Sequence, residues 1–176
     1  MSNSKSSNDF HDILNKDNDK YLDELLAESP IANSELNKLM FRAVLDGHNK
    51  CLLVLLKRGA NPNTELPMGE NILTWAISNG NAEACSILTQ NGINVNKSTT
   101  IANATPLMSA AQSGNLEIIN LLISAGARLN DCTKAGKTAL MIATEAGKDE
   151  AVSRLRELSD AVESSPPSAS QRRTFG

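Results

Sequence analysis

Four alanines, Ala43, Ala76, Ala110 and Ala143, stand 33, 34 and 33 residues apart. The same step separates Gly47, Gly80, Gly114 and Gly147, then Gly59, Gly92 and Gly126, then Asn63, Asn96 and Asn130. Interlocked series at one spacing mark small units. None can bury its own apolar face, and together they stack into a continuous core. A solenoid of this kind offers an extended surface to another molecule and rarely performs chemistry.

The third unit is the clearest: TPLMSAAQSGNLEIINLLISAGARLN, Thr105 to Asn130. Thr105 is a good N-cap, and Pro106 sits at the first helical position, where its missing N–H costs nothing. The helix is expected to run to about Ser113 and to stop at Gly114, which tolerates the left-handed conformation. Asn115 caps a second helix carrying Leu116, Ile119, Leu122 and Ile123 at helical spacing, and Gly126 closes it. Each unit therefore reads as helix, tight turn, helix and polar connection.

The first-helix runs are LMFRAV (Leu39–Val44), NILTWAI (Asn71–Ile77), TPLMSAA (Thr105–Ala111) and TALMIAT (Thr138–Thr144). The closing halves are LLKRGANPN, LTQNGINVN and LISAGARLN. From Leu36 to Leu158 this pattern resembles the ankyrin repeat, whose period is about 33 residues and whose mark is a Thr-Pro-Leu-His run leading to alanine. The resemblance implies an all-α solenoid of stacked helix-turn-helix units joined by hairpin-like loops. One departure stands out. The family's histidine, which ties neighbouring units together by hydrogen bonding, is replaced here by Phe41, Thr74, Met108 and Met141. The resemblance therefore implies joints that rest on packing instead.

A degenerate unit precedes these four. KYLDELLAESPIANSE from Lys20 matches KCLLVLLKRGANPNTE from Lys50 at an offset of 30, placing Leu22 on Leu52, Leu25 on Leu55 and Asn33 on Asn63. The shorter offset implies a trimmed hairpin, and Phe10 to Asn15 supplies a first helix. The expected organisation is a disordered stretch 1–8, a repeat domain 9–162 and a disordered tail 163–176. The domain divides into the degenerate unit 9–35 and repeats 36–64, 65–97, 98–131 and 132–162. Lys148 to about Val162 reads as a single capping helix, with Glu150 and Arg154 placed to pair at i, i+4.

Residues 1–35 hold three basic and eight acidic side chains, and residues 36–159 hold twelve basic and ten acidic. The acidic start reads as the solvated outer face of a terminal unit. No basic stripe interleaved with aromatics is present, so a nucleic-acid partner is not expected. The longest apolar run, Cys51–Leu56, is too short to cross a membrane, and the N-terminus carries no signal core. A cytosolic location is expected. Cys51, Cys85 and Cys132 have no C-x-x-C spacing and read as reduced thiols, the first two at nearly equivalent buried positions. The sequons at Asn96 and Asn103 are expected to stay bare. His11 and His48 have no ligand constellation around them, and neither a nucleophile elbow nor a phosphate loop is present. No enzyme activity, cofactor or metal is expected.

The resemblance implies a non-enzymatic module, monomeric on its own, that binds a partner protein. In ankyrin proteins the hairpin tips and the exposed side of the first helices form a concave groove. Carried over by position, its contacts are Leu66, Pro67, Met68 and Glu70, then Thr100 and Ile101, then Lys134 and Lys137 on the fingers. On the first helices they are Leu45 and Asp46, Ser78 and Asn79, Gln112 and Ser113, and Glu145. Leu66, Pro67 and Met68 are apolar where polar residues are usual. The third finger, STTIANA, carries one extra residue and should project differently. Trp75 shares its slot with Ser109 and Ile142 and reads as core packing ahead of surface contact. A second reading rests on the high asparagine content and a tail ending near Phe175. On that reading the chain is a secreted ankyrin effector of an intracellular bacterium, delivered to a host cytosol without a signal peptide, with the C-terminal tail as translocation signal.

Overall fold

The computed structural model describes Leu14 and residues 18–65 and 71–163. The expected disordered ends, most of the Phe10–Asn15 helix and the finger residues Leu66, Pro67, Met68 and Glu70 lie outside the described residues. Leu14 is helical and fully buried. The remaining helices are α1 (Asp19–Glu28), α2 (Asn33–Asp46), α3 (Asn49–Lys57), α4 (Ile72–Ser78), α5 (Ala82–Gln90), α6 (Pro106–Ser113), α7 (Leu116–Ser124), α8 (Ala139–Glu145) and α9 (Asp149–Glu163). The described residues contain no strand.

Two layers result. Helices α2, α4, α6 and α8 pack successively in one, and α1, α3, α5, α7 and α9 in the other. Each first helix also packs on the second helix of its own unit. This is the all-α solenoid that the sequence predicts. The repeat alanines explain the close stacking: Ala43, Ala76, Ala110 and Ala143 are all fully buried. A methyl group is the largest side chain that leaves neighbouring backbones within reach of each other. Leu52, Leu73, Leu88, Leu107, Ile118 and Leu122 fill the space between the layers. Leu22, Leu25 and Leu26 of α1 and Ala151 and Leu155 of α9 extend the same core to both ends.

The caps follow from the residue types. Thr105 accepts from the Met108 N–H at 3.4 Å, and its own N–H donates to the Met108 sulfur. Asn71 does this work in the second unit, accepting from both Thr74 N and Thr74 Oγ1. Asn81 and Asn115 cap α5 and α7. Gly126 ends its helix with φ 89, in the left-handed region where a side chain is strained.

The joints do not rest on packing alone, which corrects the expectation from the missing histidine. Asn63 Nδ2 donates to Gly92 O at 2.9 Å, and Asn63 Oδ1 accepts from Asn94 N at 2.7 Å. One unit on, Asn96 Nδ2 donates to Gly126 O at 3.0 Å and Asn96 Oδ1 accepts from Arg128 N at 2.9 Å. Each asparagine thus clamps the closing turn of the next unit with two hydrogen bonds. The residue two before it presents the clamp: Asn61 Oδ1 accepts from Asn63 N, and Asn94 Oδ1 from Asn96 N. On the opposite edge Asn49 and Asn81 exchange side-chain hydrogen bonds at 2.9 and 3.3 Å.

Two further expectations change. Asn33, matched to Asn63 by alignment, opens α2 instead. Asn61 N is held by Asn37 Oδ1 at 2.7 Å, so Asn37 makes the first joint from inside the helix. The hairpin there is trimmed, and only four residues lie between α1 and α2, so no loop asparagine remains to do it. Arg154 pairs with Asn120 across the layer at 2.7 Å and with Glu157, rather than with Glu150. At the other end Arg58 donates to Asp23 Oδ1 at 2.7 Å and to its carbonyl at 2.8 Å. That hydrogen bond holds the Asp23 carboxyl below the usual aspartate range.

Candidate protein-interaction surface

The first-helix layer leaves a repeated set of side chains uncovered. Helices α4 and α6 bury the face formed by Leu73, Ala76 and Ile77 and by Leu107, Ala110 and Ala111. The residues that complete each turn remain outside: Ser78 and Asn79, then Gln112 and Ser113, then Glu145 are exposed. On α2 Asp46 is exposed, and Leu45 is half-buried with its carbonyl accepting from Asn79 Nδ2. Asp46 is hydrogen-bonded to Arg42 one turn away. Lys137 and Glu145 pair at 2.7 Å on the last unit.

The fingers stand beside this layer. In the third, Thr99 N–H donates to Ala104 O, whereas in the fourth Thr133 N–H donates to Lys137 O. The third loop therefore closes over one more residue, as its sequence predicts. Asn103 absorbs the excess with φ 55 and donates from Nδ2 to Cys132 O at 2.8 Å. Thr100, Ile101, Lys134 and Lys137 are all exposed. Ile101 leaves 66% of its surface in water. Lys134 turns back toward the third finger, its Nζ donating to Thr100 O at 2.9 Å. Leu66, Pro67, Met68 and Glu70 fall outside the described residues.

The same exposed face also carries residues outside the positional carry-over. Trp75 is not core: it is 37% exposed. Its ring meets Phe41 of the preceding unit edge-on, with centroids 5.9 Å apart. Trp75 lies three and four residues before Ser78 and Asn79, hence on their face of α4. Met141, at 52% exposure, stands one turn before Glu145 on α8 in the same way. That i, i+4 relation was the available signal for both.

Two of the three thiols and both sequon asparagines occupy structural positions. Cys51 and Cys85 are buried as expected, Cys132 is exposed, and all three are unbridged. Burial pushes the Cys85 thiol up to about 12. The amides of Asn96 and Asn103 are both engaged across a joint. The described residues contain no group of three or more histidine, cysteine or carboxylate side chains able to hold a metal ion, and no helix long and apolar enough to cross a membrane.

Stacked helical hairpins with an exposed first-helix face define a repeat solenoid for macromolecular contact. The family model for ankyrin repeats, three copies, matches residues 11–99, 39–131 and 96–165, and the chain belongs to this family. Ankyrin repeats are protein–protein interaction modules. The chain is similar to human ankyrin repeat and SOCS box protein 11, 32% identical over 129 residues, 73% of this chain and 37% of that protein. It is similar to dauer abnormal formation protein 25 of Caenorhabditis elegans, 32% identical over 113 residues, 64% of this chain and 29% of that protein. It is also similar to cyclin-dependent kinase inhibitor 2A of Monodelphis domestica, 31% identical over 116 residues, 66% of this chain and 67% of that protein. The chain spans about a third of the length of the first two.

Proposed function

We propose that this chain is a non-enzymatic interaction module that holds a partner protein against its first-helix face and fingers. One observation carries the reading. The helix positions that the stack does not bury line up unit after unit, and among them stands the chain's one tryptophan, exposed in water. Tryptophan is enriched where interfaces concentrate their energy. The test is affinity capture from a lysate with the parent chain, Gln112→Arg and Glu117→Lys. Both positions are exposed, Gln112 on the first-helix layer and Glu117 on α7 of the other. The partner should be lost with Gln112→Arg and kept with Glu117→Lys. The reverse pattern would move the working surface to the second helices.

The same surface serves a module resident in the cytosol or one delivered there. The asparagine content does not favour delivery. Most of the described asparagines cap helices, shape turns or clamp joints. A translocation assay on a chain lacking residues 164–176 separates the two, since only a delivered effector depends on its tail.

A further inference from the structure

Two large apolar side chains on this side of the molecule are exposed and held in place at once. Trp75 packs its ring at 87° to Phe41. An edge-to-face neighbour fixes the orientation of an indole that solvent would otherwise leave to turn. Ile101 is held by its backbone. Lys134 N–H donates to Ala102 O at 3.0 Å, and Lys134 Nζ donates to Thr100 O at 2.9 Å, so one lysine grips the carbonyls on both sides of it. Within the finger, Asn103 N–H donates back to Thr99 O at 3.0 Å. The effect of these bonds is to point an isoleucine into water. A residue whose backbone or ring is held before binding loses less entropy on binding, which is what an anchor needs.

The charges indicate what the occupant lacks. Arg42 is taken by Asp46 and Lys137 by Glu145, which leaves among these groups the single positive charge of Lys134, its ammonium directed at a carbonyl. The positions between them, among them Ser78, Asn79, Gln112 and Ser113, are uncharged. Such a face has little net field with which to steer a charged partner. Trp75 and Ile101 belong to successive units, whose helix axes pack about 8–10 Å apart. Roughly three extended residues cover that distance.

Resting on the reading above, we propose that this face takes a low-charge segment of a protein partner through two preorganised apolar anchors. These are Trp75 braced by Phe41 and Ile101 clamped by Lys134. Lys134, expected from sequence to touch the partner, is a positioning residue.

The full chain is panned against a displayed library of random peptides, and the strongest binder is resynthesised as the probe. Its affinity is measured by fluorescence anisotropy at about 50 and about 500 mM salt, a range over which exposed charge attraction is screened away. The expected binder carries bulky apolar residues and little net charge, and its affinity changes by less than about twofold across that range. Trp75→Ala and Ile101→Ala each weaken it about tenfold or more, and Tyr21→Ala on the other layer leaves it unchanged. Lys134→Met weakens it severalfold in the parent and not at all in an Ile101→Ala background, where nothing is left to position. Circular dichroism checks that each variant is folded. A charged peptide with steep salt dependence, still lost with Gln112→Arg, overturns the low-charge partner and leaves the surface standing. Binding indifferent to Trp75→Ala, Ile101→Ala and Gln112→Arg alike overturns both. Independent, additive effects of Lys134→Met and Ile101→Ala refute the positioning role. Failure to select any peptide shows that two anchors do not suffice for a short segment, which also overturns the proposal.

Discussion

The asparagine clamp makes a prediction that separates a joint from a turn. Asn63, Asn96 and Asn130 occupy one sequence position, but among the described residues only the first two have a following closing turn to hold. Asn96→Ala removes the bond to Gly126 O and the bond from Arg128 N. Both groups belong to exposed residues, so water replaces the lost partner and neither bears the full cost of burial unpaired. At about 0.5–1.5 kcal/mol net per hydrogen bond, the substitution costs about 1–3 kcal/mol. With a urea slope of about 2 kcal/mol/M, the unfolding midpoint drops by about 0.5–1.5 M. Asn130→Ala breaks no clamp, because no fifth closing turn follows among the described residues, and should stay within about 0.5 kcal/mol. Asn96→Asp is the sharper probe: it keeps an acceptor for Arg128 N and turns the donor facing Gly126 O into a repelling oxygen. The assay is urea unfolding of the parent and the three variants, followed by circular dichroism. Equal losses for Asn96→Ala and Asn130→Ala would refute the clamp and reduce both residues to local turn formers.

Gly126→Val should cost about 1–2 kcal/mol through backbone strain alone, since its φ is 89 and an added Cβ meets nothing within 4 Å; an unchanged melting temperature contradicts the assignment. The Cys85 thiol titrates near 12 when folded and near about 8.5 when unfolded. The folded state therefore holds its proton longer, and the contribution to stability is intact below about pH 8.5 and falls as pH rises above it. Urea midpoints between about pH 7 and about pH 10 should drop further for the parent than for Cys85→Ala, and parallel curves would exclude the effect. A chain ending at Lys148 loses the helix that covers α7 and α8; size-exclusion chromatography should show self-association, and a folded monomer would argue against a capping role.

Much of the fold was legible because the stack constrains small residues most. An alanine where helices touch and a glycine at φ near +80 cannot drift, so both series show in the letters. Joint chemistry was less legible. Asn63 and Asn96 showed as a series, but their partners are a carbonyl and an N–H of the next unit, which carry no side-chain signature. Asn37 was invisible for another reason: a shortened loop moved the same job into a helix, where register no longer matches. Trp75 was misread because its slot has no fixed environment. Whether it is covered depends on the side chain two before the alanine of the preceding unit. There Phe41 packs edge-to-face with the indole, and about a third of Trp75 stays in water, at 37% exposure.

Folding and the proposed recognition draw on different positions of the same short helices, and this decides which experiments can be interpreted. On α6, Leu107, Met108, Ala110 and Ala111 are buried, while Gln112 and Ser113 are exposed. A change at the exposed pair should alter a partner's affinity at a stability cost of about 0.5 kcal/mol or less. The third finger breaks this separation. Lys134 and Asn103 both present Ile101 and connect the third and fourth fingers. Losing either side chain must lower the stability of that joint along with any affinity that depends on Ile101. Binding loss there says nothing about contact unless it is measured against an Ile101→Ala background. On the helices, the single substitution is enough.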